Sequence, residues 1–244
     1  MKSMKNISKP IIGILGVPLY DDEKNNIIAL FGDYKNAVVK KNCIPFMIFP
    51  VLNVDYYGTK LSKIPALTNK EKKMYREMVD MCDGIIMPGG DRMYNFDEYV
   101  IKYAIYKNIP VLGICLGMQL LANMDNQSYC LEENQTEINH ARPKEKYVHK
   151  VKILDNTMLS TIIKEKEIKV NSNHKFHVSK VNKFKISAYS EDGLIEAIEM
   201  PNKKFVVGVQ WHPEKLIEID NNANQLFDSF VKECSYVKEK RLEK

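Results

Sequence analysis

Short apolar runs alternate with stretches of helical periodicity over the first two thirds of this chain. The runs cover residues 11–15, 45–49, 84–87 and 111–115, and the helical stretches lie around residues 30–41, 70–81 and 99–106. Strands that are buried on both faces are apolar at nearly every position, whereas half-buried strands alternate. The pattern therefore predicts an α/β fold, in which a mostly parallel central sheet carries helices on both faces.

The last part of the chain has a different pattern. Residues 126–150 are polar and aperiodic, which predicts a loop or an insertion and leaves open whether it closes over a site as a lid. A helix is predicted to close the chain over residues 216–234. We expect a small antiparallel extension of the sheet, and one domain that spans residues 1–244. The predicted strands of this extension are residues 148–154, 168–170, 184–189, 194–198 and 205–211, with a hairpin-type turn at Asp192-Gly193.

The composition is that of an ordinary globular protein. Hydrophobic residues make up 45% of the 244 positions and charged residues 27%, which excludes a disordered chain, a collagen-like repeat and a disulfide-stapled miniprotein. The net charge of +5 is spread along the chain, so the sequence does not indicate a nucleic-acid-binding protein. The densest basic cluster, residues 238–244, is predicted to be a solvated helix end or a frayed tail.

The cysteines and the N-terminal segment bear on the cellular compartment. Five cysteines, without any CxxC spacing, are typical of free thiols in a reducing compartment. The apolar residues 11–17 follow a basic segment, as in a signal peptide, but the run is short, lies between two prolines and lacks a cleavage pattern. No run approaches the roughly 20 apolar residues of a membrane span. We therefore expect a cytoplasmic protein that does not contact a membrane.

The strongest local motif is Gly113-Ile-Cys-Leu-Gly117, which joins the fourth apolar run to a helical segment. It has the form of a nucleophile elbow, in which a sharp strand-to-helix turn exposes the central side chain. The helix N-terminus behind Cys115 favours the thiolate form of its side chain. The alternative is an inert, buried cysteine in a tight turn. We predict that Cys115 is a nucleophile.

A base for this nucleophile is offered by Gln210-Trp-His-Pro-Glu214, which ends another apolar run. Residues two apart lie on the same side of an extended backbone, and Pro213 biases His212 toward that conformation. The Glu214 carboxylate is thereby placed to fix the tautomer of the His212 ring. The alternative is a His-Pro-Glu cap on the next helix, with the histidine exposed to solvent.

A third motif, Pro88-Gly-Gly-Asp91, follows the third apolar run. Adjacent glycines allow backbone N–H groups to point toward a developing oxyanion at the sheet edge where ligands bind. Taken alone, the motif is more often an ordinary Gly-Gly turn. Because all three motifs fall at the ends of predicted strands, we predict that they form one site.

Together the three motifs resemble those of class I glutamine amidotransferases. Within this superfamily the γ-glutamyl-γ-aminobutyrate hydrolase family is the most similar, because Val170-Asn-Ser-Asn-His174 resembles its Val-Asn-Ser-x-His stretch. Residues 191–199 and the opening unit at residues 11–50 also fit, so the likeness covers nearly the whole chain. The resemblance implies a flavodoxin-like central sheet and a hydrolase that needs no cofactor.

The same resemblance implies roles for individual residues. Cys115 would attack a γ-glutamyl amide carbonyl, and His212, oriented by Glu214, would accept and return the proton. Water would then hydrolyse the γ-glutamyl thioester and release glutamate. The implied oxyanion-hole donors are the N–H groups of Gly90 and Leu116. The implied substrate-binding residues are Gly89, Gln119, Asn171, Ser172 and His174.

The chain departs from the family's pattern in two places. The Gly-Gly turn that usually follows the elbow helix is replaced by residues 125–128, and Lys175-Phe176 replace the His-Gln that commonly follows Val-Asn-Ser-x-His. Both departures lie where we expect specificity for the leaving amine to be determined.

No metal site is predicted. The histidines outside the base motif have no companion cysteine or carboxylate at the spacing of a zinc site. The four cysteines outside the elbow, Cys43, Cys82, Cys130 and Cys234, are predicted to be packing residues.

Three functions remain open at this point. The favoured one is a free-standing cysteine-dependent amidohydrolase of γ-glutamyl amines or amides, since we find no synthetase domain in the sequence. The second is a glutaminase subunit that delivers ammonia to a synthetase partner. The third, a non-catalytic relative, is least favoured because cysteine, histidine and glutamate are all present. We expect a small-molecule γ-glutamyl substrate and no nucleic-acid or membrane partner, and we leave a homodimer open.

Overall fold

The computed structural model describes residues 9–125 and 130–243, and within them a mixed sheet of eleven strands forms the centre of the protein. The helices are α1 (Gly32–Lys40), α2 (Asn69–Met81), α3 (Asn95–Tyr106), α4 (Leu116–Asp125), α5 (Met158–Ile162) and α6 (Asn221–Leu242). The strands are β1 (Ile11–Leu15), β2 (Val17–Tyr20), β3 (Asn26–Ala29), β4 (Ile44–Ile48), β5 (Gly84–Met87), β6 (Val111–Ile114), β7 (Leu131–Glu133), β8 (His149–Ile153), β9 (Glu167–Val170), β10 (Phe176–Val178), β11 (Lys185–Ser190), β12 (Ile195–Glu199) and β13 (Val206–Val209).

The order of the strands confirms the predicted fold class. Strands β4, β1, β5, β6 and β13 are neighbours and run parallel. Strands β12, β11, β8 and β9 continue the same sheet in antiparallel pairing, while β10 joins β12 to β7. The antiparallel part is thus an extension of the central sheet. The sequence analysis missed β7, β10, α5 and a separate hairpin of β2 and β3.

Two apolar cores lie on opposite faces of the sheet. One is formed with side chains of α1, α5 and α6, and the other with side chains of α2, α3 and α4. Successive residues of β1 alternate between them, because Ile14 belongs to the first core and Leu15 to the second. None of the helices in the described part of the chain has both the length and the apolar character needed to cross a bilayer.

Four buried cysteines fill these cores as free thiols, in accordance with the prediction that they are packing residues. Burial raises the pKa of Cys43 to about 11 and that of Cys82 to about 12. Burial also raises the pKa of Cys234 well above its usual value. These thiols are therefore neutral and poor nucleophiles at physiological pH.

The polar segment predicted at residues 126–150 is packed against the sheet extension from residue 130 onward, while residues 126–129 lie outside the described part. It contributes β7, and Ala141 forms a bridge with Asn173. His140 lies within it and is 1% exposed. No residue from 130 to 150 lines the cavity described below.

The C-terminal helix begins later and extends further than predicted. The Asp220 side chain caps α6 by accepting a hydrogen bond from the N–H of Ala223, and the helix continues to Leu242. Lys238 and Arg241 reach the fully buried carboxylate of Asp83, at 3.5 and 3.1 Å. A frayed tail is therefore wrong for residues 238–242, because the buried charge of Asp83 holds the last turns of α6 against the sheet. The alternative of a solvated helix end is right for Glu239, Lys240 and Leu242, which are exposed.

Replacing both Lys238 and Arg241 by alanine should lower the free energy of unfolding by about 2 kcal/mol. The Asp83 carboxylate would keep the N–H of Ile11 as a hydrogen-bond donor but lose both cationic partners while it stays buried. Urea unfolding measures the change. The double variant Lys232→Ala/Lys240→Ala removes the same charge from α6 away from Asp83, and equal loss of stability in both variants would contradict the assignment.

Candidate active site

Cys115 occupies the turn between β6 and α4 in a strained backbone conformation. Its φ of 54° lies in the left-handed region, which is unfavourable for a residue with a β-carbon. Its N–H donates to the carbonyl of Val209 on β13 at 2.8 Å, and its carbonyl accepts the N–H of Gln119 at 3.2 Å. The turn is therefore fixed on both sides, by the neighbouring strand and by the first turn of α4.

The two glycines of the elbow allow strand and helix to approach this closely. A β-carbon on Gly117 would lie 2.2 Å from the carbonyl oxygen of Met87, and one on Gly113 would lie 2.7 Å from the backbone of Gly117. Both distances are shorter than any normal contact, and the obstructing atoms are backbone. Glycine is thus required at both positions for the turn that presents Cys115.

His212 and Glu214 form a buried pair just after β13. The ring Nδ1 of His212 lies 2.8 Å from Oε1 of Glu214, and the two residues are 7% and 2% exposed. Pro213 opens a short 3₁₀ turn, Pro213–Lys215, which turns the carboxylate back toward the ring. The alternative of a solvent-exposed histidine cap is therefore wrong. Nδ1 donates to the carboxylate, which leaves Nε2 buried without a hydrogen-bond partner among the described residues.

The environment of His212 favours its charged form. Burial opposes a charge on the ring, but the negative charges of Glu214 and of a Cys115 thiolate outweigh it and raise the pKa of His212 to about 10. This pKa is above the 6.5 of an unperturbed histidine. Protonation of His212 thus stabilises the fold fully below pH 6.5, and this contribution is lost as the pH rises through about 10.

A cavity of about 240 Å³ opens over these groups at the carboxyl ends of the parallel strands. It brings together five of the predicted site residues, namely Cys115, His212, Glu214, Gly89 and Gly90. The rest of the lining consists of Val17, Leu19, Phe31, Asp33, Tyr34, Asp91, Asn173 and Lys215.

Of the two predicted oxyanion-hole residues, Gly90 lines this cavity, whereas Leu116 follows Cys115 in the chain and is not among the lining residues. The N–H of Gly90 and that of Leu116, the first residue of α4, have no acceptor among the described residues. A β-carbon on Gly90 would lie 3.3 Å from the Leu116 side chain, so the two residues are adjacent. The pair is arranged as two free N–H groups beside the Cys115 turn.

Four predicted substrate-binding residues lie outside the cavity lining. Gln119 donates to the carbonyl of Phe176 and to the Gln210 side chain. Asn171 clamps the backbone of His212, accepting from its N–H and donating to its carbonyl, both at 2.9 Å. Ser172 contacts the ring of His140, and His174 turns into a separate histidine cluster. These side chains are thus hydrogen-bonded within the protein itself.

Three further contacts at the site escaped the sequence analysis. Gln210 directs its amide nitrogen at Sγ of Cys115 at 3.6 Å, and the carbonyl of Asn173 lies 3.8 Å from the same sulfur. The Tyr34 hydroxyl accepts the N–H of Gly89 at 2.8 Å. Gln210 could have been found, since it lies two residues before His212 on an extended segment. No sequence signal points to Tyr34, because α1 is remote from the motifs.

One group of side chains has the composition of a metal site. His140, His149, His174 and Glu196 are all buried, and their candidate ligand atoms lie within 4.8 Å of one another. The sequence analysis found no companion carboxylate by spacing. Glu196 on β12 is that carboxylate, and only the fold brings it to the histidines.

Comparison with known proteins identifies the family. The profile of the Peptidase C26 family matches residues 92–214, which include Cys115, His212 and Glu214. The chain belongs to the Peptidase C26 family. This places it in the class I glutamine amidotransferase-like superfamily, as the sequence motifs indicated, and its function is of the glutamine amidotransferase-like, hydrolase type.

Relatives of this Peptidase C26 protein agree with the assignment. It is 34% identical to the glutamine amidotransferase-like protein RP404 of Rickettsia prowazekii, over 94% of this chain and 99% of RP404. It is 31% identical to CTP synthase of Borreliella afzelii, over 62% of this chain and 35% of that protein. The glutaminase domain of Trypanosoma brucei CTPS, solved with bound acivicin, has the same fold, with a TM-score of 0.62, 17% identity, and coverage of 93% of this chain and 94% of that domain.

The ring of His212 should remain protonated through pH 8, and the Glu214→Gln variant should lower its pKa, because the amide removes the adjacent negative charge. An NMR titration of the ring nitrogens measures both values. The titration of His177, which lies outside the cavity lining, should be the same in the two proteins and serves as the internal control. A wild-type His212 that titrates near 6.5, or an unchanged pKa in the variant, would contradict this electrostatic assignment.

Proposed function

We propose that this Peptidase C26 protein is an amidohydrolase that cleaves γ-glutamyl amides through a γ-glutamyl thioester on Cys115. One observation carries the proposal. A cysteine held at a strained turn shares a cavity with a histidine that is paired to a carboxylate, beside two backbone N–H groups without acceptors. A nucleophile, a base with an orienting partner and an oxyanion site are the parts that acyl transfer requires.

The first half of the reaction forms the thioester. The Cys115 thiolate attacks the amide carbonyl, and the N–H groups of Gly90 and Leu116 stabilise the oxyanion of the tetrahedral intermediate. Protonated His212 then gives its Nε2 proton to the leaving nitrogen, the C–N bond breaks and the free amine departs. Glu214 holds the ring in the required tautomer through its bond to Nδ1.

The second half hydrolyses the thioester. Neutral His212 accepts a proton from water, the resulting hydroxide adds to the thioester carbonyl, and the C–S bond breaks to release glutamate and the thiolate. The same two N–H groups stabilise the second oxyanion. The proton that His212 gains restores the thiolate–imidazolium pair.

The lining of the cavity supports a small zwitterionic acyl group. The carboxylates of Asp33 and Asp91 and the ammonium group of Lys215 lie on it. An α-ammonium and an α-carboxylate, as in a glutamyl group, carry the complementary charges. Its volume of about 240 Å³ favours a glutamyl unit with a small amine over a long peptide.

A second candidate function is a glutaminase that passes ammonia to a synthetase partner. The similarity to CTP synthases and to a glutaminase domain favours it. The two functions differ in what they need. An amidohydrolase acts alone on γ-glutamyl amines, whereas a partner-dependent glutaminase shows glutamine turnover mainly in the complex.

The Cys115→Ala variant should keep the fold and lose at least about 10³-fold in kcat, because no other group on the cavity can form the thioester. Release of free glutamate measures turnover, and circular dichroism checks the fold. Cys43→Ala, which removes a buried thiol in the core, should keep wild-type turnover. Hydrolysis by Cys115→Ala at the wild-type rate would refute the assigned nucleophile.

Acivicin should label Cys115 covalently, with one adduct per chain located by peptide mass spectrometry. The adduct should be absent from Cys115→Ala and present in Cys43→Ala. An adduct on another residue, or none on the wild type, counts against the proposed nucleophile.

The substrate class is tested with the purified chain and a panel of γ-glutamyl amines, γ-glutamyl peptides and glutamine. We expect the highest kcat/KM for a γ-glutamyl amine with the purified chain alone. Preferred glutamine turnover, or glutamine turnover that rises on addition of a synthetase partner, would instead establish the second function.

A further inference from the structure

A second polar cluster lies beneath the antiparallel strands, away from the cavity. His140 precedes β8, His149 begins β8, His174 lies between β9 and β10, and Glu196 is on β12. Each of the four is at most 5% exposed. Nothing in the proposed hydrolysis uses this cluster, although it contains three of the chain's five histidines.

The polar atoms at the centre of this cluster are not satisfied by the protein. One Glu196 oxygen lies 3.8 Å from Nδ1 of His140, 3.7 Å from Nε2 of His149 and 3.5 Å from Nε2 of His174. Both Glu196 oxygens and the Nε2 atoms of His149 and His174 lack a hydrogen-bond partner among the described residues. Unpaired buried polar atoms are costly, and a cation bound among them would satisfy them.

The outer nitrogens of the rings show which lone pairs face inward. Nε2 of His140 lies 2.9 Å from the Asp192 carboxylate, and Nδ1 of His149 lies 3.2 Å from the carbonyl of Lys150. Nδ1 of His174 lies 3.0 Å from the carbonyl of Phe176. For His140 and His149 the acceptor beside the outer nitrogen fixes its proton there. Nδ1 of His174 also lies 3.3 Å from the Asn134 amide nitrogen, but that amide donates to the His174 carbonyl at 3.1 Å, so we assign the proton of Nδ1 to the carbonyl of Phe176. The inner nitrogen of each neutral ring then presents a lone pair. Metal-bound histidines typically have this arrangement.

The charges lead to the same conclusion. Within residues 9–125 and 130–243, no lysine or arginine lies within ion-pair distance of Glu196. Three inward lone pairs and one carboxylate repel one another unless a positive charge lies between them. A divalent ion supplies that charge and accepts all four donor atoms.

We propose that His140, His149, His174 and Glu196 form a structural zinc site. Three imidazoles and a carboxylate are donors that suit Zn²⁺, and four protein ligands close a tetrahedral site. Zinc–ligand bonds of 2.0–2.1 Å place tetrahedral donors roughly 3.3 Å apart. The donor atoms lie within 4.8 Å of one another and must therefore move closer together on binding. The Ser172 hydroxyl, 3.3 Å from Nδ1 of His140, reorients when the ion enters.

The site supports the cavity through the segment that carries His174. In this segment Asn171 clamps the backbone of His212, and the carbonyl of Asn173 faces Cys115. Zinc bound to His174 fixes the end of this segment. The ion is a positioning element, and its binding does not depend on the proposed hydrolysis.

The test measures zinc itself. The full-length protein, stripped with a strong chelator, is incubated with equimolar ZnCl₂, desalted and analysed by mass spectrometry for bound metal. We expect about one zinc per chain and a rise in the melting temperature on zinc addition. Cys115→Ala should bind zinc equally, which excludes the cysteine cavity as the site. Bound zinc that disappears in Cys115→Ala would overturn the proposal, as would less than about a tenth of an equivalent with no thermal shift in the wild type.

Variants locate the ion within the cluster. Glu196→Gln keeps the shape of the side chain and should weaken zinc affinity at least about 10-fold, and Asp192→Asn, which acts through His140, should weaken it by about 10- to 100-fold. His177→Asn, a histidine outside the cluster, should bind zinc as the wild type does. Wild-type zinc affinity in both Glu196→Gln and Asp192→Asn would overturn the site. Should Glu196→Gln fail to fold, Asp192→Asn and the wild-type zinc titration still decide.

Discussion

The tight packing of the elbow against its neighbours is the constraint on which the rest of the site depends. Cys115 has a backbone conformation that costs of order 1–3 kcal/mol, and it persists because β6 and α4 are pressed together through Gly113 and Gly117. The bond from its N–H to Val209 ties the same turn to β13. The parallel order β5, β6, β13 then brings the glycine turn, the cysteine and the histidine to one edge of the sheet.

The electrostatics of this edge favour a charged His212. Burial of the ring costs solvation energy, and the negative charges that face it outweigh this cost. His212, with a pKa of about 10, stays charged at neutral pH and therefore places an imidazolium next to the sulfur. Tyr34 contributes from α1. Burial and the nearby Glu214 carboxylate raise the pKa of its hydroxyl, which therefore remains neutral and can accept the N–H of Gly89.

Sequence patterns were sufficient to predict elements in which consecutive residues have the same kind of environment. The buried strands β5, β6 and β13 were predictable because burial on both faces leaves nearly every position apolar. Short elements such as β7 and β10 were missed because three residues are too few to show a hydrophobic periodicity. The motifs at Cys115 and His212 were visible since each is local in sequence. The contact made by Asn171 was not visible, because a sequence motif does not show in which direction a side chain points. The Asn171 amide hydrogen-bonds to the backbone of His212, 41 residues away.

Glu196 is a clearer example of a residue whose contacts cannot be predicted from the sequence. In the sequence it is one polar residue within a run of apolar ones, as on any half-buried strand, and yet it is fully buried against three histidines from distant segments. The stretch from Asn171 to His174 links this cluster to the cavity by simple alternation. Asn171 and Asn173 contact the His212 and Cys115 side, whereas Ser172 and His174 contact the histidine side. The carbonyl that faces the sulfur belongs to the peptide bond that joins Asn173 to His174. Four consecutive residues therefore connect the histidine cluster directly to the nucleophile and to the backbone of its base.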